Sequence, residues 1–332
     1  MIYQNVELHN VSEIEALTDG AFKVYRFPKQ VIACFDAEKE AYPAVAGRMT
    51  TACELRFVSK EAEVTLSGDA DGTIEIWKGN FFVRMVWLNK DEKKTVALKN
   101  EWKVDECQPP RKGAFATDVW RIRFGHDNAV TVHSIKATGG IRPPKAEEKP
   151  TKTVLAYGSS ITHSAGSVLF HDSYLGTIGR ELGVDVLCKG MGGSCFCQKE
   201  VAEYLPTEDW DLAILELGVN MVSSFSAEEF KRRASEVVRN ALTKGKPVVM
   251  ISMFTYYSEF EPEVKAKGEA FKKAYREIFE EQKCDNLYFI NGNEIVDDWT
   301  YLTADLLHPS PYGHVEMGKK IANKIRNEFN IL

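Results

Sequence analysis

No stretch of this sequence approaches the roughly 20 consecutive apolar residues that span a bilayer. The opening residues, MIYQNVELHN, have neither the basic start nor the apolar core of a secretory signal. The expectation is a soluble, cytoplasmic chain without a membrane partner. Lysine and arginine never gather into a dense block, and the net charge is −6. Nucleic acid and an anionic membrane surface are therefore poor partners. Seven cysteines are present, but their odd count and irregular spacing argue against a disulfide framework. Cys195 and Cys197 form a C-x-C pair, and no second close pair of Cys or His follows at zinc spacing, so no metal is expected. Free thiols in a reducing compartment are the better account, with Cys188, Cys195 and Cys197 as small core residues. Internal repeats and low-complexity segments are also missing.

What is present is a chain of 332 residues, 44% hydrophobic and 27% charged, long enough for two domains. Residues 1–142 read as β structure. CELRFVS alternates, with Leu55 and Phe57 on one face, and AEVTLSG, TIEIWKG and NFFVRMVWL follow. Turn signals at Gly68-Asp69, Asp71-Gly72 and Gly79-Asn80 separate them. VWRIRFGHDNAVTVHSIKA reads as a last hairpin around Gly125 to Asn128. Short strands at this spacing, with no convincing amphipathic helix, predict a sandwich or jelly roll. Trp77, Trp87, Trp102 and Trp120 are expected in its core, with a sugar-stacking surface as the other reading. Residues 143–152 are rich in proline and charge and read as a linker.

From 153 to 332 the pattern changes. TVLAYG, VDVLCKG, DLAILELG, KPVVMISMF and NLYFING are five apolar runs suited to strands buried on both faces. Helical stretches alternate with them. The clearest has Ser226 as N-cap with Glu229 as its capping-box partner, and it ends at Gly245. Phe230, Ala234, Val237, Val238 and Leu242 share one of its faces. The alternation predicts a five-stranded parallel sheet with helices on both faces. Glu216 lies inside the third strand and needs a partner if buried.

In such sheets, sites form outside the carboxyl ends of the strands. Ser159-Ser160 follows the first strand, GMGGS (Gly190–Ser194) the second, and Asn220 the third. Asp305, His308 and His314 lie beyond the fifth. A serine needs a base to lose its proton at neutral pH, and a histidine base needs a third group to fix its tautomer. Asp305 precedes His308 by three residues, so one turn can join carboxylate and ring, whereas His314 has no carboxylate at that spacing. Gly193 or Gly192 can bring a backbone N–H close to a developing oxyanion, and Asn220 can add a side-chain amide. His163 and His171, near Ser160 in sequence, are expected as solvated loop residues, with a place lining the pocket as the other reading. The pentapeptide is not the G-x-S-x-G elbow of α/β-hydrolases, because position 162 is Thr.

The blocks GSSIT, GMGGS, GVNM and DLLHP, in this order, resemble the four blocks of the SGNH hydrolases, or GDSL-type esterases and lipases. The front half followed by this domain is also similar to carbohydrate esterases of family 2. The resemblance implies a flavodoxin-like three-layer α/β/α domain. It implies Ser160 as nucleophile, with Ser159 as the rival, His308 as base and Asp305 as its orienting partner. The oxyanion hole would be the N–H groups of Ser160 and Gly193 and the amide of Asn220. No cofactor is implied. The expected activity is hydrolysis of short acyl esters, acetyl above all, on a small molecule or carbohydrate. Acyl transfer, thioester hydrolysis, and carbohydrate binding beside an inactive hydrolase-like half are the alternatives. Three positions depart from the family pattern: Ser159 replaces an Asp, Cys188 an Asn, and Met221 an Asp.

Overall fold

The period-two stretches of the first half fold as antiparallel strands. The computed structural model describes residues 1–37, 42–99, 103–104 and 113–332, so Trp102 and Cys107 lie outside the described residues. The strands are β1 (Ile2–Tyr3), β2 (Val6–His9), β3 (Glu13–Ala16) and β4 (Phe22–Tyr25), then β5 (Glu54–Val58), β6 (Glu61–Gly68) and β7 (Gly72–Lys78). After them come β8 (Phe81–Leu88), β9 (Lys94–Leu98), β10 (Val119–Phe124) and β11 (Val130–Thr138). They form a six-stranded sheet, β1-β2-β5-β10-β7-β8, and a five-stranded sheet, β3-β4-β11-β6-β9. Leu55, Phe57, Ile74, Ile76 and Ile122 from the first sheet meet Val24, Val64, Leu66 and Val132 from the second in one buried cluster. This is an antiparallel β-sandwich.

Two expectations for this half need correction. β10 and β11 do not form a hairpin, because β10 pairs with β5 and β7 while β11 pairs with β4 and β6. The Gly125–Asn128 link carries the chain from one sheet to the other. The buried Asn128 anchors it: its carbonyl accepts from the N–H and hydroxyl of Thr50, and its side-chain amide packs on Gly68 and Gly72. A Cβ on either glycine would sit 2.4–2.5 Å from the Asn128 amide nitrogen. Among its described residues the half also contains the α-helices α1 (Lys29–Asp36) and α2 (Tyr42–Arg48). Val31, Ile32 and Phe35 of α1 are buried at helical spacing, but the run is too short for its period to stand out. Of the tryptophans, Trp77 and Trp120 are buried and Trp87 is exposed.

The sandwich's outer face carries buried charge. Glu54 accepts from the guanidinium groups of Arg56, Arg121 and Arg123, and Arg56 also makes a two-pronged bond to Asp185. Burial raises the Glu54 carboxyl, but the three cations outweigh it and hold the group well below the usual carboxylate range.

The second half builds a parallel sheet from β12 (Thr153–Gly158), β13 (Asp185–Gly190), β14 (Leu212–Glu216), β15 (Val248–Ile251) and β16 (Leu287–Ile290). Between and after them run α3 (Tyr174–Leu182), α4 (Lys199–Tyr204), α5 (Ala227–Leu242), α6 (Pro262–Glu281), α7 (Gly292–Ile295) and α8 (Pro311–Asn323). Every residue of β14 and β15 is buried, as strands covered on both faces require. The spatial order is β13-β12-β14-β15-β16, the 2-1-3-4-5 order of flavodoxin-like sheets. The order reverses between β12 and β14, so a crevice opens at the carboxyl ends of those two strands. Ser226 caps α5 by accepting from the Glu229 N–H, and the Glu229 carboxylate pairs with Arg232 and Arg233.

The chain divides into two compact units. Met1–Lys29, Gly47–Thr151 and Gly183–Asp185 form the first, and Gln30–Ala46, Lys152–Leu182 and Val186–Leu332 the second. The segment that carries most of α1 and the start of α2 thus belongs with the parallel sheet. Among the described residues, no helix is long and apolar enough to cross a membrane.

Candidate active site

β12 ends at Gly158, and the next residues turn at once. A side chain at Gly158 would sit 2.2 Å from the Thr162 hydroxyl and 2.7 Å from the Glu216 carboxylate, so only glycine fits beneath this turn. The two serines then part company. Ser159 is 1% exposed, and its hydroxyl donates to Glu216 Oε2 at 2.7 Å. Ser160 points outward, and its Oγ lies 2.8 Å from His308 Nε2.

His308 comes from the segment between α7 and α8, closed by a bond from the Thr303 N–H to the His308 carbonyl. Gly166 lets this segment approach the turn after β12, since a Cβ there would meet the Pro309 carbonyl oxygen at 2.1 Å. His308 Nδ1 is 2.6 Å from Asp305 Oδ2. An ionised carboxylate can only accept, so Nδ1 carries the proton and Nε2 is left to accept from the Ser160 hydroxyl. Asp305 Oδ1 takes three more donors: the N–H groups of Leu307 and His308 and the Thr303 hydroxyl. Partial burial pushes this carboxyl up, but these bonds outweigh it and hold the group well below its ordinary range. The ring and the carboxylate remain open to water, at 26% and 48% exposure.

The loop after β13 meets the same place. A Cβ on Gly192 would lie 3.9 Å from the Ser160 Cβ. The Gly192 N–H is already donated to His163 Nδ1 at 3.2 Å. Among the described residues, the N–H groups of Ser160 and Gly193 have no protein acceptor. Asn220, just past β14, accepts from the Cys195 N–H through Oδ1 at 3.2 Å, and among the described residues its amide nitrogen meets no acceptor. The structure therefore gathers Ser160, His308, Asp305, Gly193 and Asn220 at the switch point of the sheet.

His314 has another place. It is fully buried, with Nδ1 accepting from the Tyr174 N–H and Nε2 donating to the Ala165 carbonyl. His163 is buried rather than solvated, and His171 lies beside Arg180. Cys188, Cys195 and Cys197 are buried free thiols. No group of three or more His, Cys, Asp or Glu among the described residues is placed to hold a metal.

One residue near the site gave little notice in the sequence. Tyr42, at the start of α2, lays its ring against the glycine loop, 3.0–3.1 Å from where a Gly193 Cβ would project. Its hydroxyl is 3.7 Å from the corresponding point at Gly192, which is also within 4 Å of the Ser160 Cβ. It lies far from the other site residues in sequence and carries no motif. Glu216, by contrast, stood out as a charge in an apolar strand, and its partners prove to be Ser159 and Thr162.

A 2-1-3-4-5 parallel sheet between helical layers, preceded in the sequence by an antiparallel sandwich, places the chain in the SGNH class of α/β folds. Residues 151–326 match the family model described as GDSL-like lipase/acylhydrolase, and the chain belongs to that family. Among solved structures, it is similar to a salicylyl-acyltransferase from a tetracycline biosynthetic pathway, at 13% identity and a TM-score of 0.77, over 96% of this chain and 93% of that one. It is similar to a family two carbohydrate esterase from Cellvibrio japonicus at 12% identity and a TM-score of 0.66, over 98% and 96% of the two chains. A family two carbohydrate esterase from Clostridium thermocellum, in complex with cellohexaose, gives 13%, a TM-score of 0.63, and 86% and 95%. At these identities the likeness is one of fold. No curated protein matches the sequence.

Proposed function

We propose that the protein is a serine esterase that hydrolyses short acyl esters, acetyl esters first, with a carbohydrate as one class of alcohol. The observation that carries this reading is the unbroken line from Ser160 Oγ through the His308 ring to Asp305, with contacts of 2.8 and 2.6 Å. Ser160 attacks the ester carbonyl while His308 Nε2 takes its proton. Asp305 holds the ring in the tautomer that can accept, and stabilises the imidazolium. The oxyanion is received by the N–H groups of Ser160 and Gly193 and the Asn220 amide. Such a donor is worth roughly 3–4 kcal/mol of barrier. His308 then returns the proton to the leaving alcohol. Water attacks the acyl-enzyme with the same ring as base. The exposure of His308 and Asp305 supports hydrolysis, because water reaches the acyl-enzyme without a lid having to open.

The test is release of p-nitrophenol from p-nitrophenyl acetate and of acetate from acetylated sugars, by wild type and Ser160→Ala. Turnover that disappears in the variant supports the reading. Equal inertness of both, across acyl lengths, sinks it in favour of a carbohydrate-binding role. A second reading, acyl transfer to a hydroxyl acceptor, is favoured by the acyltransferase neighbour. An acylated product that accumulates when sugar or phenolic acceptors are added, at the expense of free acid, would select it.

A further inference from the structure

The turn that carries Ser160 rests on one buried carboxylate. Glu216 is 1% exposed at the end of β14. Its Oε2 receives the Ser159 N–H at 2.8 Å, the Ser159 hydroxyl at 2.7 Å and the Thr162 hydroxyl at 3.0 Å. The directions are fixed by what surrounds them. The Thr162 oxygen lies 2.8 Å from the Tyr174 hydroxyl and can accept from it, which frees the threonine proton for Glu216. The Ser159 oxygen accepts from the Ile161 N–H and likewise gives its own proton to Glu216. Three donors from the residues flanking Ser160 thus converge on one oxygen.

We propose that Glu216 is a positioning residue for the reaction, acting through the Ser159–Thr162 turn to hold the Ser160 hydroxyl on His308. The inference rests on the reading of Ser160 as nucleophile. Three converging donors favour the carboxylate form, and no cation contacts it among the described residues. The titratable groups around it are Tyr174 from α3, Tyr275 from α6 and Cys195 from the glycine loop. Burial keeps all three protonated and neutral. Burial likewise pushes the Glu216 carboxyl up to about 7, against the bonds from Ser159 and Thr162. A proton on the carboxyl would fall on Oε1, which is buried and meets no acceptor, and would leave Oε2 a weaker anchor. The turn is therefore held best above neutral pH.

The experiment is kcat and KM for p-nitrophenyl acetate as a function of pH, in wild type, Glu216→Gln, Thr162→Val and Ser160→Ala. Glu216→Gln keeps the shape and loses the charge. It is expected to lower kcat by about 10- to 100-fold at alkaline pH, the effect of a misplaced nucleophile, with KM within about twofold. The fall of log kcat toward acid pH should be steeper in wild type, where Glu216 takes up a proton near pH 7, than in the variant, which has no carboxyl there. Thr162→Val removes one donor and should give a smaller kcat loss. If Glu216→Gln does not fold, Glu216→Asp, which keeps the charge and withdraws it by one methylene, takes its place and should lower kcat with the steep limb retained. A glutamine variant with wild-type kcat and an unchanged limb overturns the proposal while Ser160→Ala is inactive. An active Ser160→Ala overturns the nucleophile assignment instead.

Discussion

Replacing Asp305 by asparagine tests the catalytic line more sharply than removing the side chain. Asp305 Oδ1 receives the Leu307 and His308 N–H groups and the Thr303 hydroxyl, and Oδ2 faces His308 Nδ1. An asparagine can keep the first set only by placing its oxygen at the Oδ1 position. Its NH2 then points at Nδ1, and two donors cannot share that contact. The ring must shed the Nδ1 proton and carry it on Nε2, where it can no longer accept from Ser160. Flipping the amide restores the ring but turns the NH2 on two backbone N–H groups, losing two hydrogen bonds at about 1 kcal/mol each and adding repulsion. The first arrangement is preferred, and the catalytic tautomer becomes the minor one. The expected fall in kcat is about 10³- to 10⁴-fold, or about 4–5.5 kcal/mol of barrier, with KM little changed. Asp305→Ala leaves the tautomer free and should lose no more than the asparagine variant. The assay is hydrolysis of p-nitrophenyl acetate between about pH 6 and 9, with Ser160→Ala as the floor. An Asp305→Asn enzyme within about tenfold of wild type would show that the carboxylate does not set the ring's proton, and the mechanism would fall with it.

Stability should respond to pH through Glu216, whose carboxyl is raised from an ordinary 4.5 to about 7. The folded state then binds a proton that the unfolded chain has released. The contribution is full below about 4.5 and is lost as pH rises through about 7, a loss of about 3 kcal/mol. Urea unfolding should therefore favour Glu216→Gln over wild type increasingly from about pH 5 to 8, and a constant difference would refute this. In the sandwich, Glu54→Ala takes the carboxylate from the buried guanidinium of Arg121 and leaves Arg123 to its longer contact with Glu75. It should cost about 3–5 kcal/mol by denaturant titration, and a loss under about 1 kcal/mol would count against a structural role for the network. Tyr42→Ala clears the ring beside Ser160 and the glycine loop. The ratio of kcat/KM for p-nitrophenyl butyrate to that for the acetate should rise about tenfold, and an unchanged ratio would take Tyr42 out of acyl selection.

Strand identity was legible because burial writes a period into the chain, but strand partnership was not. β10 and β11 alternate as a hairpin would, and the alternation is the same whether the two strands pair or face each other across a core. What separates them is Asn128 wedged on Gly68 at the end of β6 and Gly72 at the start of β7, a contact without local signature. In the second half the placement was readable because buried strands alternating with helices leave one edge for the loops, so polar residues at strand ends converge whatever their spacing in sequence. That logic pointed to Ser160, Asn220, Asp305 and His308 as candidates. It could not reach Tyr42, which arrives from the first half of the chain, nor choose between Gly192 and Gly193. What bears on that choice is a single bond, from the Gly192 N–H to His163.

Ser159 and Glu216 also explain each other. The family pattern places an aspartate before the nucleophile, and here that position is a serine whose hydroxyl lies 2.7 Å from a buried carboxylate reaching up from β14. An aspartate at 159 would set two carboxylates against each other at a distance where both cannot ionise. The two positions should therefore be coupled. Ser159→Asp alone should destabilise the protein and lower kcat, while the same change in a Glu216→Gln background should cost markedly less, because the new aspartate meets a neutral amide. A double-mutant cycle on unfolding free energy and kcat reads the coupling directly, with an interaction of about 1–3 kcal/mol expected for groups in contact. Strictly additive losses would mean that the carboxylate of Glu216 and the serine of the nucleophile turn are independent choices, and that the support beneath Ser160 lies elsewhere.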